Sequence, residues 1–99
     1  MTIEDWRSEI DKVDAELLRL LNRRAELAVS VGESKRLAGL SVCDRARERE
    51  VIERARRENR GPLDDAAVAR LFRAGIRESR RLQSGAAEAS GAQATEAAR

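Results

Sequence analysis

Residues 3–35, IEDWRSEIDKVDAELLRLLNRRAELAVSVGESK, decide the fold of this chain. Large apolar side chains recur in them every three or four residues, which predicts one long helix with a single buried seam. The seam comprises Ile3, Trp6, Ile10, Val13, Leu17, Leu20, Leu27 and Val31. Such a helix is about 50 Å long, more than a monomer of 99 residues can cover. We therefore expect a homodimer in which the long helix packs against its symmetry mate.

The seam changes character toward its C-terminal end. Arg24 stands where an apolar residue is due between Leu20 and Leu27. An arginine in a buried stripe must be paired or must face a cavity that holds an anion. Lys35 lies about 20° round the helix from Arg24, so the same face continues as a cationic one. One face of the helix is therefore apolar for most of its length and cationic at one end.

The amino-acid composition favours one fold class and argues against several kinds of functional site. Ala, Leu, Arg and Glu dominate, with one Pro and two aromatic residues, which predicts an all-helical domain. There is no His, and Cys43 is the single cysteine, so disulfides, thiolate metal sites and His catalysis are not expected. The net charge of +2 and the lack of a basic block argue against nucleic-acid binding. No signal peptide or membrane span is evident, so we expect a cytoplasmic protein.

Three helices and a tail are predicted. Thr2 and Asp5 form a capping-box pattern for a first helix that ends near residue 37. A second helix covers about residues 44–58, and the sequence Asn-Arg-Gly-Pro at 59–62 stops it. A third helix begins at Asp64 or Asp65. Residues 84–99 lack large apolar side chains, so we expect a domain over 1–83 and a disordered tail over 84–99.

Each helix carries an apolar stripe that turns polar over part of its length. The polar positions are Arg24, Lys35, Asp44, Arg47, Glu48, Ser79 and Gln83. If they converge, they form a cation-rich pocket for a small polyanion with carboxylates and a hydroxyl, because Arg matches a carboxylate and Lys is a compact donor. The alternative is that these residues lie on solvated faces or at helix crossings, as most charged helix residues do.

The motifs resemble those of a known family. Arg7 lies in WRSEIDKVD (6–14), Arg24 in LLNRRAELA (20–28) and Lys35 in VGESK (31–35). The segment DRARER (44–49) follows, then Leu-Phe at 71–72, Glu-Ser at 78–79 and Gln83. In this order and spacing, over about residues 3–83, they resemble the chorismate mutases of the all-helical AroQ class. The resemblance implies an isomerase that converts chorismate to prephenate, in phenylalanine and tyrosine biosynthesis, without metal or cofactor. It also implies an intertwined six-helix homodimer.

The resemblance implies roles for the carboxylate-binding residues. Arg24 and Arg47 would hold the substrate's carboxylates, and Ser79 would support one of them. Arg7 would reach in from the other subunit. It lies about 100° round the helix from the Arg24 face, so it is not placed to serve the same pocket from the same chain.

The remaining positions concern the ring hydroxyl and the ether oxygen. By the same resemblance, Glu48 would accept the ring hydroxyl, assisted by the backbone near Asp44. Lys35 and Gln83 would donate to the ether oxygen. Donors fixed there stabilise the transition state, because negative charge grows on that oxygen as the C–O bond breaks.

Other functions stay open at this point. The same fold serves 4-amino-4-deoxychorismate mutases and isochorismate pyruvate lyases, and Glu48 suits a hydroxyl or an ammonium. A non-enzymatic helical dimerisation or regulatory domain is an alternative from another class. Docking on another enzyme of the shikimate pathway is also open.

Overall fold

The chain folds into three α-helices joined by two short turns. A computed structural model describes the backbone of residues 1–97 and the side chains of residues 1–85. In chain order the helices are α1 (Ile3–Leu37), α2 (Arg45–Glu58) and α3 (Asp65–Ala97), and residues 1–97 contain no strand. The predicted all-helical class with three helices per chain is therefore confirmed. The intertwined homodimer remains a prediction.

Both ends of α1 follow from local sequence. The Thr2 hydroxyl accepts the Asp5 N–H at 3.1 Å and the Asp5 carboxylate accepts the Thr2 N–H at 2.7 Å, which confirms the capping box. At the other end, Leu40 N–H donates to the Lys35 carbonyl at 2.8 Å around Gly39, whose φ is 73°. This left-handed geometry suits glycine and ends the helix in a Schellman motif.

The turns around α2 are held by side chains that cap the helices. Asp44 precedes α2 and its carboxylate accepts the Arg47 N–H at 2.9 Å, so Asp44 is the N-cap of the helix predicted over about residues 44–58. Asn59 ends α2, and its side-chain amide donates to the Leu63 carbonyl at 2.8 Å and to the Asp65 carboxylate at 3.0 Å. One asparagine therefore links the end of α2 to the start of α3.

Helix α3 is the element that holds the fold together. It packs against both α1 and α2, whereas α1 and α2 have no close backbone approach to each other within the described residues. The buried residues of the described part of the chain are Gly32, Val68, Ala69 and Ser79. Three of these four belong to α3, so its inner face forms most of the small core of a single chain.

The N-terminal half of α1 extends away from this core. Its seam residues stay solvent-exposed in a single chain: the exposed fraction is 69% for Ile3, 57% for Trp6 and 50% for Leu17. Charged side chains occupy the other face of the helix, and no helix in the described part of the chain is long and apolar enough to cross a membrane. The long apolar face is thus left without a partner from its own chain.

Helix α3 extends beyond the predicted domain boundary at residue 83. The backbone of residues 84–97 continues α3, whereas its composition predicted disorder from residue 84. The physical reason is that Ala, Glu and Gln are strong helix formers, and a nucleated helix propagates at little further cost. Residues 98–99 lie outside the described residues. The division of the chain into a domain over 1–83 and a separate tail stays a prediction.

The start of α3 provides a test of the fold. The Asp64 carboxylate accepts the Ala67 N–H at 2.7 Å just before the helix that carries the packing. Asp64→Ala removes this cap and should lower the free energy of unfolding by about 1 kcal/mol. Asp64→Asn keeps the acceptor and should change the free energy of unfolding by only about 0.3 kcal/mol. Urea denaturation followed by circular dichroism measures both, and equal losses for the two variants would contradict this role of Asp64.

Candidate active site

All three helices contribute to one cavity of about 290 Å³. It lies between the C-terminal half of α1, the first two turns of α2 and the middle of α3. Its polar lining includes seven of the eight predicted site residues, namely Arg24, Lys35, Asp44, Arg47, Glu48, Ser79 and Gln83. Apolar side chains, among them Leu27, Val51 and Ile76, complete the wall. The volume suits a small metabolite rather than a polymer.

Helix α1 contributes two cations to the cavity. Arg24 is half-buried, and its Nη1 lies 3.5 Å from the Ser79 hydroxyl oxygen of α3, a long hydrogen bond. Lys35 is 24% exposed, and its Nζ lies 3.7 Å from Asp44 Oδ2 across the turn before α2. The two cations therefore face the neighbouring elements rather than open solvent. Both contacts are long, so Arg24 and Lys35 each keep N–H groups that can donate to an anion.

Helix α2 presents its N-terminus to the cavity. The Arg47 N–H bonded to Asp44 lowers the pKa of that carboxyl group below its ordinary value of 3.8, and Lys35 adds to the effect. The Arg47 guanidinium pairs with Glu50 at 2.7 Å, in an ion pair that is more than half exposed. Exposed ion pairs are weak, so an arriving carboxylate competes readily for Arg47.

Helix α3 places Gln83 against α1 at close range. Its amide nitrogen donates to the Ala28 carbonyl at 2.6 Å. Gly32 makes the approach possible, because a Cβ at that position would lie 3.2 Å from the Gln83 Cγ. The backbone carbonyl of Gln83 also accepts a hydrogen bond from Arg36 at 3.5 Å. A side-chain amide has two hydrogens, so Gln83 is anchored and keeps one donor for a ligand.

One polar lining residue was missed by the sequence analysis. Arg80 lines the cavity beside Ser79, and its Nη2 contacts the carboxylate of Glu48 on α2. This hydrogen bond raises the pKa of Arg80 above its ordinary range. The signal was present in the sequence: Arg80 lies four residues after Ile76 and three before Gln83, which is the spacing of one helix face.

The balance of charge in the cavity favours an anionic ligand. Four cationic and two anionic side chains line it, which leaves two positive charges in excess. No group of three or more His, Cys, Asp or Glu side chains that could hold a metal ion occurs among the described residues. The excess of positive charge therefore makes the cavity attractive to a small anion.

Arg7 is the predicted site residue that the structure does not bring to the cavity. It lies 17 residues before Arg24 on the same helix, about 25 Å away along the helix axis. There its guanidinium pairs with Glu4 at 3.0 Å and is 68% exposed. A single chain therefore has no contact between Arg7 and the cavity, and its predicted role depends on a second copy.

Comparison with known proteins points to one family. Residues 6–84 match the family model of chorismate mutase type II. A solved structure of chorismate mutase (form II) from Thermus thermophilus aligns with 83% of this chain and 93% of its own, with a TM-score of 0.81 and 34% identity. The sequence and the three-helix architecture therefore agree on the same family.

Curated relatives include longer proteins. The chain is 49% identical over 67 residues to a bifunctional chorismate mutase/prephenate dehydratase of Neisseria gonorrhoeae, in an alignment that covers 68% of this chain and 18% of that protein. It is 42% identical over 52 residues to an intracellular chorismate mutase of Mycobacterium tuberculosis, covering 52% and 50% respectively. The chain thus spans about a fifth of the gonococcal relative and half of the mycobacterial one.

The lowered pKa of Asp44 predicts how stability depends on pH. A folded-state pKa below the ordinary value means that ionised Asp44 stabilises the fold above about pH 4, and that this contribution is lost as the pH falls through the lowered pKa. Asp44→Asn keeps a capping oxygen and loses the charge. The stability advantage of the unaltered protein over this variant should be constant from about pH 5 to 7 and should shrink below about pH 4. Urea midpoints at each pH measure it, and an advantage that persists undiminished in acid would contradict the assignment.

Proposed function

The chain belongs to the chorismate mutase type II family, and from that membership we propose that it catalyses the rearrangement of chorismate to prephenate. The observation that carries the proposal is the convergence of seven predicted residues from three helices on one cavity. In the reaction an ether C–O bond breaks while a C–C bond forms within one molecule. No proton or electron has to leave, so the site needs only to bind, orient and polarise the substrate.

The excess of two positive charges matches the two carboxylates of chorismate. Arg24 and Arg47 would hold them, since a guanidinium offers paired donors in the plane of a carboxylate. Arg47 would exchange its exposed partner Glu50 for the substrate. Ser79, buried and within 3.5 Å of Arg24, would support one carboxylate. These contacts would select the compact conformer in which the reacting carbons are close, which lowers the entropic part of the barrier.

Lys35 and Gln83 are proposed to act on the ether oxygen. Negative charge develops there in the transition state, because breaking of the C–O bond runs ahead of formation of the C–C bond. Lys35 is held near Asp44, and Gln83 is fixed against Ala28 before any ligand arrives. Such preorganised donors favour the transition state over the ground state, because they need no reorientation during the reaction.

Glu48 is proposed to receive the ring hydroxyl at the other end of the substrate. It lines the cavity on α2, one helical turn after the Asp44 cap, and its side chain is 23% exposed. A carboxylate can accept a hydrogen bond from a hydroxyl with one oxygen while the other oxygen keeps a protein partner. The backbone near Asp44 would assist. This contact orients the ring relative to the ether oxygen.

A homodimer is part of the proposal. The N-terminal half of α1 presents an apolar seam that its own chain does not cover, and burial of such a face drives association. Packing two copies of α1 along this seam would bring the N-terminal half of one copy to the cavity of the other. Arg7 lies on that half, and it would supply a further guanidinium to the partner's substrate.

The cellular setting is also a proposal. The gonococcal relative combines its mutase with a prephenate dehydratase, by its name, which supports an enzyme that consumes prephenate as the next step for the product of this chain. Docking on another enzyme of the shikimate pathway remains a prediction. The name of the mycobacterial relative supports an intracellular site of action.

Two lysines provide a direct test of the reaction. Lys35 lines the cavity, whereas Lys12 pairs with Glu9 at 3.1 Å on an exposed surface. The purified protein should consume chorismate, followed by its loss of absorbance. Lys35→Ala should lower kcat by about 10²–10³-fold, because a donor to the developing charge is lost. Lys12→Ala should have nearly the activity of the unaltered protein.

The outcomes of this assay distinguish the proposed reaction from the role assigned to Lys35. If the Lys35→Ala variant retains full turnover, the proposed reaction is still supported but the role of Lys35 is contradicted. Absence of turnover by the unaltered, folded protein would contradict the proposed function as a whole.

The sharing of sites across a dimer predicts complementation. Arg7→Ala and Arg24→Ala should each be nearly inactive, but a refolded equal mixture should regain about a quarter of the full activity. Half of the random dimers are heterodimers, and one of the two sites in each carries both arginines. A mixture of Arg24→Ala with Arg47→Ala is the matched control. Both arginines serve the cavity of their own chain, so it should regain nothing, and recovery there or none in the first mixture would contradict the shared site.

A further inference from the structure

Arg80 is the cavity residue to which the proposed reaction assigns no task. It follows Ser79 on α3 and contacts the carboxylate of Glu48 on α2, so it links the two helices that face α1 across the cavity. The side chains of Arg80 and Glu48 are 41% and 23% exposed. The pair therefore lies at the edge of the cavity, and its guanidinium is held on the carboxylate that is proposed to receive the substrate's ring.

The pair changes what Glu48 can recognise. A carboxylate alone in a cavity favours a cationic partner and would bind an ammonium more strongly than a hydroxyl. Once Arg80 balances the charge of Glu48, the pair has no net charge and an arriving ammonium also meets a guanidinium beside it. A neutral hydroxyl does not meet this repulsion, and a carboxylate oxygen can still accept its hydrogen bond.

A second feature of Arg80 has the same effect. Its Nε–H is buried and has no hydrogen-bond partner among the described residues. A buried donor without an acceptor presents a positive partial charge, and it costs free energy until an electronegative group approaches it. The Nε–H belongs to the guanidinium that contacts Glu48, so the positive charge of Arg80 remains partly unmatched by protein acceptors beside that carboxylate. Such a position disfavours a substrate cation.

We propose that Arg80 makes the cavity select a hydroxyl over an ammonium at the ring position that Glu48 receives. This inference rests on the proposed function and decides between two substrates that the sequence left open. Chorismate carries a hydroxyl at this position and 4-amino-4-deoxychorismate carries an ammonium. Arg80 acts through Glu48, so it is a positioning residue, and its effect falls on substrate choice.

The test compares kcat/KM for the two substrates in four proteins. The unaltered protein should prefer chorismate. The measured ratio is kcat/KM for chorismate divided by kcat/KM for the amino substrate. Arg80→Met should reduce this ratio by at least about tenfold, because it removes a like charge from beside the ammonium. Arg80→Lys keeps the charge and should keep the ratio within about threefold. Arg81→Met is the matched control: Arg81 is the next residue of α3, pairs with Glu78 and is 75% exposed, so its loss should leave the ratio unchanged.

The ratio of the two kcat/KM values distinguishes a change in substrate recognition from a loss of folded protein. A loss of stability or of general activity lowers both kcat/KM values and cancels in their ratio. Circular dichroism confirms that each variant is folded, and Arg80→Gln, neutral and polar, replaces Arg80→Met if the latter is not.

Each outcome bears on the proposal. An unchanged ratio in an active Arg80→Met variant overturns the role of Arg80 and leaves the mutase function intact. A preference of the unaltered protein for the amino substrate overturns it as well. Turnover of neither substrate overturns the proposed function and this inference together.

Discussion

The close approach of α3 to α1 at Gly32 is the constraint on which the site depends. Helices cross at axis separations of about 8–10 Å, and the side chains at the contact set the distance. Gly32 presents no side chain there, so Gln83 lies against the backbone of α1 and donates to the Ala28 carbonyl at 2.6 Å. A Cβ at position 32 would lie 3.2 Å from the Gln83 Cγ, so the Gln83 side chain would have to shift by a few tenths of an ångström. Ser79 lies one turn earlier on α3 and contacts Arg24 of α1 at 3.5 Å, so the same helix pair places both residues at the cavity.

The second helix packs on α3, and charged groups connect it to the end of α1. The Schellman motif at Gly39 ends α1 just after Lys35, and the chain returns within five residues to the cap at Asp44. Lys35 and Asp44 then lie 3.7 Å apart across the turn. From the other side, α3 reaches α2 through Arg80 and Glu48. The polar groups that define the cavity also hold its walls together, so binding and local stability are coupled.

Much of the fold and of the site could be predicted from periodicity. The three- and four-residue spacing located α1, and the one arginine that interrupts the seam led to the cavity, because a charge on an apolar face requires a partner. Gly32 and Arg80 were not found. The spacing on α3 could have placed Arg80 on the cavity face, but its pairing with Glu48 and the close contact at Gly32 depend on distances between helices, which the pattern of one helix does not contain. The backbone of α3 continues to Ala97, beyond residue 83, because the loss of large apolar side chains marks the end of the packed face and not the end of a helix.

The central claim is that the cavity is complementary to the transition state of the rearrangement. The most direct measurement is the affinity of the protein, by isothermal titration, for a stable bicyclic ether that carries two carboxylates in the transition-state geometry. Prephenate, with the same two carboxylates and no strained ether bridge, is the reference ligand. The account predicts that the bicyclic ether binds at least about 10²-fold more tightly than prephenate. Equal affinities would show that the cavity recognises a dianion but does not favour the reaction, and would contradict the claim.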